Sequence, residues 1–182
     1  MESAKKITFG ILRETYSAWE RRVALTPAFV RELTKRGHPV VVQPCPKRCF
    51  VDKEYEAAGA VLSEDLAQVD WLFGIKPQRI DDLLPNKTLF HYGTIYTGDP
   101  TIQPYLEAIL EKKIRAIEFE KIKEGGREEG MGLVGSSPLA GNIGVFNTIR
   151  GVGEMLLVKH GISTPMLHTG AAYMHASLDD CV

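Results

Sequence analysis

Two rhythms of apolar and polar positions alternate along this chain. Short apolar runs, rich in β-branched or aromatic residues and bounded by Gly, Pro or charge, occur at Ile7–Leu12, His38–Pro44, Trp71–Pro77, Thr88–Gly93 and Ile114–Ile122. Runs of this kind predict strands. Between them lie stretches of helical spacing. In TPAFVRELTKRG, Phe29, Val30 and Leu33 recur on one helical face, Thr26 is placed to cap, Pro27 to sit at the first helical position, and Gly37 to close the last turn. Residues Asp52 to Ala58 read as a short helix ending at Gly59. Pro100 to Lys113 read as an amphipathic helix with Ile102, Leu106, Ile109 and Leu110 inward.

Alternating strands and helices with short apolar strands predict an α/β fold: a parallel, doubly wound, Rossmann-like sheet with flanking helices. Lys123 to Gly132 is a loop rich in Gly and charge. Residues 136–161 then read as one long helix, capped by Ser136 or Ser137 with Pro138 near its start. Leu139, Ile143, Phe146, Ile149, Val152 and Leu156 form its apolar stripe. Gly141, Gly144, Gly151 and Gly153 lower its propensity by up to about 1 kcal/mol each, which points to a close contact with another helix or with backbone. Residues 162–182 carry no full element of their own. No G-x-G-x-x-G follows a strand, so nothing here is built to hold a pyrophosphate.

The 182 residues fit one domain with a helical extension. A net charge of -1 gives no basic excess to attract nucleic acid or an anionic membrane, yet a few arginines in one pocket suffice for a small anionic substrate. Cys45, Cys49 and Cys181 are an odd, low count that fits a reducing compartment. Cys45 and Cys49 form a lone C-x3-C pair, better read as free thiols in a loop than as metal ligands, and no metal is expected. No apolar run of about 18 residues suggests a membrane span. The first residues lack the apolar core of a secretory signal and the Arg-rich length of a transit peptide. The expected location is cytoplasmic, or the mitochondrial matrix if a presequence has been removed.

Four strands carry polar groups at or near their ends, and carboxyl ends of strands border the ligand crevice in open α/β sheets. Glu14, Arg21 and Arg22 follow the first strand, Lys76 ends another, His91 ends a third, and Glu118 and Glu120 lie on the last, two apart and so on one side. Each has a plain structural reading as well: a solvated lysine, a hydrogen-bonded histidine between Phe90 and Tyr92, surface arginines. Composition and spacing alone support only a soluble α/β domain with an anion-binding edge.

The segment ILRETYSAWERRVALTPAFVRELTKRGHPVVVQP resembles the opening of the alanine dehydrogenase, transhydrogenase and saccharopine dehydrogenase family. The Trp19-Glu20-Arg21-Arg22 form, YEAAGAVLSED and STPMLHTGAAYMHAS look like the lysine–2-oxoglutarate reductase branch of that family, the reductase part of aminoadipic semialdehyde synthases. The resemblance implies a substrate-binding α/β domain over residues 1–135, the long helix over 136–161, and a linker over 162–182 toward a nucleotide-binding domain that the chain lacks. It implies that Arg22 grips a substrate carboxylate, that Lys76 and His91 exchange protons, that Glu120 tunes them and that Glu14 supports Arg22. It also implies NADP or NAD as cofactor, bound mainly outside this chain, so that the chain alone has no turnover. Two departures stand out. Pro77 and Gln78 follow Lys76 where fungal forms have a glutamate, and GGREEGMG offers only Arg127 as a substrate-binding arginine where those forms carry Gly-Arg-Arg-Val, whose second arginine helps bind the keto acid.

The implied reaction joins lysine and 2-oxoglutarate: a neutral ε-amine attacks the keto carbon, water leaves, and hydride from NADPH or NADH gives saccharopine. The implied partners are these small molecules and a nucleotide-binding domain, with homo-oligomerisation left open. The alternatives are an alanine dehydrogenase or transhydrogenase domain, or a non-catalytic module that binds a dicarboxylate.

Overall fold

A computed structural model describes residues 6–123 and 137–170, which fall in two compact units. In the first, β1 (Phe9–Ile11), α1 (Pro27–Lys35), β2 (Val40–Val42), α2 (Asp52–Ala57), β3 (Val61–Leu62), β4 (Trp71–Phe73), β5 (Thr88–His91), α3 (Gln103–Glu111) and β6 (Arg115–Glu118) follow in order. The strands form one sheet in the order β3-β2-β1-β4-β5-β6, with every pair parallel. This is the expected doubly wound α/β architecture. The strand order reverses between β1 and β4, where such folds open a crevice at the carboxyl ends.

Local chemistry starts and stops the elements. Thr26 caps α1 by accepting the N–H of Phe29 at 3.3 Å, and Pro27 opens it. Gly37 and Gly59, past the ends of α1 and α2, have φ of 82° and 92°, the left-handed region that favours glycine. β3 is a two-residue edge strand whose length gives no period to recognise.

Register partners of parallel strands share a face. Leu12, Leu72 and Leu89 form a core with Tyr105, Ala108 and Ile109 of α3. On the other face Phe9, Trp71, Phe73 and Phe90 pack ring on ring, with Phe73 and Phe90 stacked at 4.5 Å. The buried stripe of α3 differs from the expected one. Tyr105 replaces Leu106, and Leu110 is 67% exposed, because the tyrosine finds a polar partner inside the core.

The second unit contains α4 (Ser137–His160) and a 3-10 turn at Pro165–His168. The turn folds back onto the helix at Gly153, where a Cβ would stand 2.8 Å from the main-chain nitrogen of Leu167. Of the four helix glycines only Gly153 makes such a contact; a Cβ at Gly141, Gly144 or Gly151 would meet nothing within 4 Å. Within the expected stripe, Ile143, Ile149 and Val152 keep 38%, 37% and 37% exposure. No described helix is long and apolar enough to cross a membrane.

Candidate active site

Beyond Phe73 the main chain of β4 keeps its bonds to β5 but parts from β1, and the N–H groups of Ile75 and Lys76 need other acceptors. Glu14, just past β1, supplies both. Its carboxylate accepts from Ile75 at 2.6 Å and from Lys76 at 3.0 Å. Burial pushes the Glu14 pKa up, and the two N–H donors pull it partly back. Lys76 extends past this clamp, with Nζ 6.0 Å from the ring centre of Tyr16.

Arg22 stands on the loop between β1 and α1. Its Nε and Nη2 meet the two carboxylate oxygens of Glu20 at 2.8 and 2.6 Å, a side-on bidentate pair. That hydrogen bonding holds Glu20 below the usual carboxylate range, and the charge of Lys76 adds to the effect. Arg22 in turn feels Glu20, Glu14 and Tyr92. The loop is strapped from outside by the segment that carries the cysteines. Cys49 N–H donates to the Arg21 carbonyl at 2.9 Å, Arg21 Nε to the Lys47 carbonyl at 3.1 Å, and Lys47 Nζ to the Ser17 carbonyl at 2.6 Å. Cys45 is buried and Cys49 exposed, both as free thiols. Among the described residues no group of three His, Cys, Asp or Glu could hold a metal ion.

Consecutive strand residues point to opposite faces, and this separates His91 from Tyr92. Tyr92 continues the face of Phe90, packs on Phe119 at 5.1 Å, and donates its N–H to the Ile75 carbonyl at 2.9 Å. Burial pushes its pKa up, with Glu120 adding to this and Arg22 opposing it. His91 turns into the core and is 0% exposed. Its Nδ1 lies 3.3 Å from the Tyr105 hydroxyl, and Nε2 has no hydrogen-bond partner. Burial lowers its pKa to about 4, so the ring is neutral at neutral pH. Glu118 Oε1, 3.9 Å from Nε2, is therefore a polar neighbour rather than an ion-pair partner. That carboxylate accepts the N–H groups of Gly93 at 2.9 Å and Ile95 at 3.2 Å.

The expected convergence is thus partial. At the rim of the strand ends Glu20 pairs with Arg22 and interacts through its charge with Glu14 and Lys76. Glu120 reaches this rim through Tyr92 and accepts a short hydrogen bond from Tyr96, which pushes that phenol up to about 12. His91 lies beneath the rim, covered by Gly93. Glu118 and Glu120 do not share a side, because the strand stops at Glu118 and the chain turns through a 3-10 segment at Phe119–Lys121. The carboxylate that faces His91 is Glu118, not Glu120. Arg127 lies outside the described residues. Sequence reasoning passed over Glu20 and Tyr92. The only signal was their place beside Arg22 and His91.

A separate cleft of about 270 Å³ lies near the same strand ends, but none of the expected residues lines it. Its two arginines are already matched, Arg13 by Glu64 at 2.9 and 3.0 Å and Arg79 by Asp82 at 2.8 and 3.1 Å.

Residues 10–138 match the family described as alanine dehydrogenase/PNT, N-terminal domain. The chain is 32% identical over 177 residues to the mitochondrial alpha-aminoadipic semialdehyde synthase of Bos taurus, covering 97% of this chain and 19% of that protein. It is 32% identical over 186 residues to the alpha-aminoadipic semialdehyde synthase of Arabidopsis thaliana, covering 97% and 17%. The chain therefore spans less than a fifth of these relatives. A transhydrogenase structure from Sinorhizobium meliloti superposes with a TM-score of 0.60 at 21% identity, covering 78% of this chain and 43% of that one, a likeness of fold.

Proposed function

The chain belongs to the alanine dehydrogenase/PNT N-terminal domain family, and from that premise we propose that it is the substrate-side domain of a lysine–2-oxoglutarate reductase. Its similarity to the N-terminal region of aminoadipic semialdehyde synthases points to lysine degradation. The observation that carries the reading is that Glu14 binds the main chain of Lys76 while its carboxylate also interacts with the charge of Arg22.

In this reading the Arg22 fork holds a carboxylate of 2-oxoglutarate, since a guanidinium pairs with two carboxylate oxygens at once. Lys76 exchanges the proton that must leave lysine's ε-ammonium before attack and that must reach the departing hydroxyl. Glu14 fixes the direction in which Lys76 leaves the strand. His91 is a second proton-exchanging candidate, and it reaches the rim only when the segment from Gly93 to Ile95 moves aside. NADPH or NADH supplies the hydride. Among the described residues no glycine-rich turn between a strand and a helix would cradle its pyrophosphate, so a second domain is proposed to hold it.

The test is NADPH oxidation by a form that carries a nucleotide-binding domain. Dependence on both lysine and 2-oxoglutarate supports the reading. Oxidation with pyruvate and ammonia instead would assign the domain to the alanine dehydrogenase side of the family. The 182-residue chain alone should show no turnover.

A further inference from the structure

We propose that the Glu20 carboxylate is a built-in occupant of the carboxylate seat on Arg22, and that a substrate carboxylate binds by displacing it. The inference rests on the reading of Arg22 as the group that grips 2-oxoglutarate. The geometry is that of a bound ligand. Two carboxylate oxygens meet Nε and Nη2 at 2.8 and 2.6 Å, so the edge of the guanidinium best suited to a bidentate ligand is already taken. The Glu20 side chain is 9% exposed against 55% for Arg22, which places the carboxylate inside the rim with the arginine closing over it. Its charge interacts with Lys76 as well as Arg22, the two cations assigned to the substrate. Glu14 opposes it as a like charge.

The seat is also built to be vacated. Glu20 belongs to no helix or strand, and the straps on its loop hold the main chain at Ser17 and Arg21; besides the guanidinium, the Glu20 carboxylate accepts the main-chain N–H of Arg22 at 3.1 Å, a donor that is released with it. Neighbouring Trp19 is 89% exposed, so nothing packs the loop shut from that side. An incoming carboxylate replaces Glu20 on the same donors, and Glu20 swings to solvent. The exchange trades one charge-assisted pair for another, so the resting contact weakens the site for every carboxylate ligand and favours those with a second anionic group to hold elsewhere.

Calorimetric titration of 2-oxoglutarate and glutarate into the 182-residue chain decides this. Glu20→Gln should bind both roughly three- to tenfold more tightly than the unmodified chain, the scale of one partly exposed ion pair. Glu20→Ala should shift in the same direction, and Arg22→Met should lose binding. Equal or weaker binding by both Glu20 variants, with binding still lost in Arg22→Met, would make Glu20 an orienting partner of Arg22 and overturn this inference alone. Binding by Arg22→Met at the unmodified affinity would remove the seat from Arg22. Absence of binding by the unmodified chain and by both Glu20 variants would overturn the proposed function along with it.

Discussion

The carboxylate of Glu14, past the end of β1, accepts the main-chain N–H of Lys76 past the end of β4 at 3.0 Å, and that of Ile75 at 2.6 Å. These two bonds continue the β1–β4 contact beyond the point where the ladder stops. They also fix where Lys76 leaves the sheet. Glu14→Ala should strand two buried donors and cost about 2–4 kcal/mol, since each unsatisfied group costs on the order of 1–3 kcal/mol with some relief from entering water. Glu14→Gln keeps an acceptor oxygen and should cost about half as much. Urea unfolding of the two variants checks this. A loss under about 1 kcal/mol for Glu14→Ala would mean that water serves those donors.

Lys76 is the cation at this rim that no described side chain pairs through an ion bridge, unlike Arg22. If it moves protons in the proposed reaction, Lys76→Met should lower kcat by roughly 10²–10⁴-fold in a form carrying the nucleotide-binding domain. Lys76→Arg should recover little, because a guanidinium does not give up its proton near neutral pH. Turnover within a few-fold of normal for Lys76→Met would remove the lysine from the chemistry.

His91 makes stability depend on pH in a definite direction. Its folded pKa of about 4 lies below the ordinary value of 6.5 because burial disfavours the charged ring. Between those values the unfolded chain binds a proton that the folded chain refuses, so stability falls as pH drops from about 6.5 toward 4. The full effect is up to about 3 kcal/mol, on the order of 1.4 kcal/mol per unit. His91→Gln should retain a partner for Tyr105 and flatten the fall in stability over that window. Denaturant midpoints measured from pH 7 to pH 4 supply the comparison. Parallel pH profiles for the two proteins would show that the imidazole does not stay neutral in the fold.

The sheet and its helices were legible because their signals are local. Thr26, Pro27 and Gly37 frame α1 by capping chemistry that needs no tertiary contact. What escaped the sequence depends on partners distant along the chain. β3 is too short to show a period. Tyr105 reads as a surface residue until His91 meets its hydroxyl in the core. Glu118 and Glu120 seem to share a face only while the strand is taken to run on past Glu118. Glu14 and Lys76 lie just past strand ends, where pattern and topology agree, whereas Arg22 lies well along the loop from β1 to α1. The depth of His91 was not legible, since the side to which one strand residue points is set by sheet register. The Glu20–Arg22 pair is two residues apart in the sequence, yet its bidentate geometry is a property of the folded loop.

Gly93 separates that buried imidazole from the rim, and its lack of a side chain is what lets His91 fit. A Cβ at this position would lie 2.4 Å from His91 Cε1, 2.6 Å from Nε2 and 2.7 Å from Glu118 Oε1. These contacts are shorter than atoms tolerate, and both neighbours are buried, so neither can step into solvent. Gly93→Ala should therefore cost about 1–3 kcal/mol by overpacking. The cause can be isolated. In a His91→Ala background the imidazole is gone, of these three contacts that with Glu118 remains, and the same Gly93→Ala change should cost at least about 1 kcal/mol less, a coupling typical of residues in direct contact. Chemical denaturation of the four proteins in this cycle gives the coupling directly. Additive losses would show that Gly93 is required by its own backbone or by Glu118, and that the imidazole is not what fills the space beneath it.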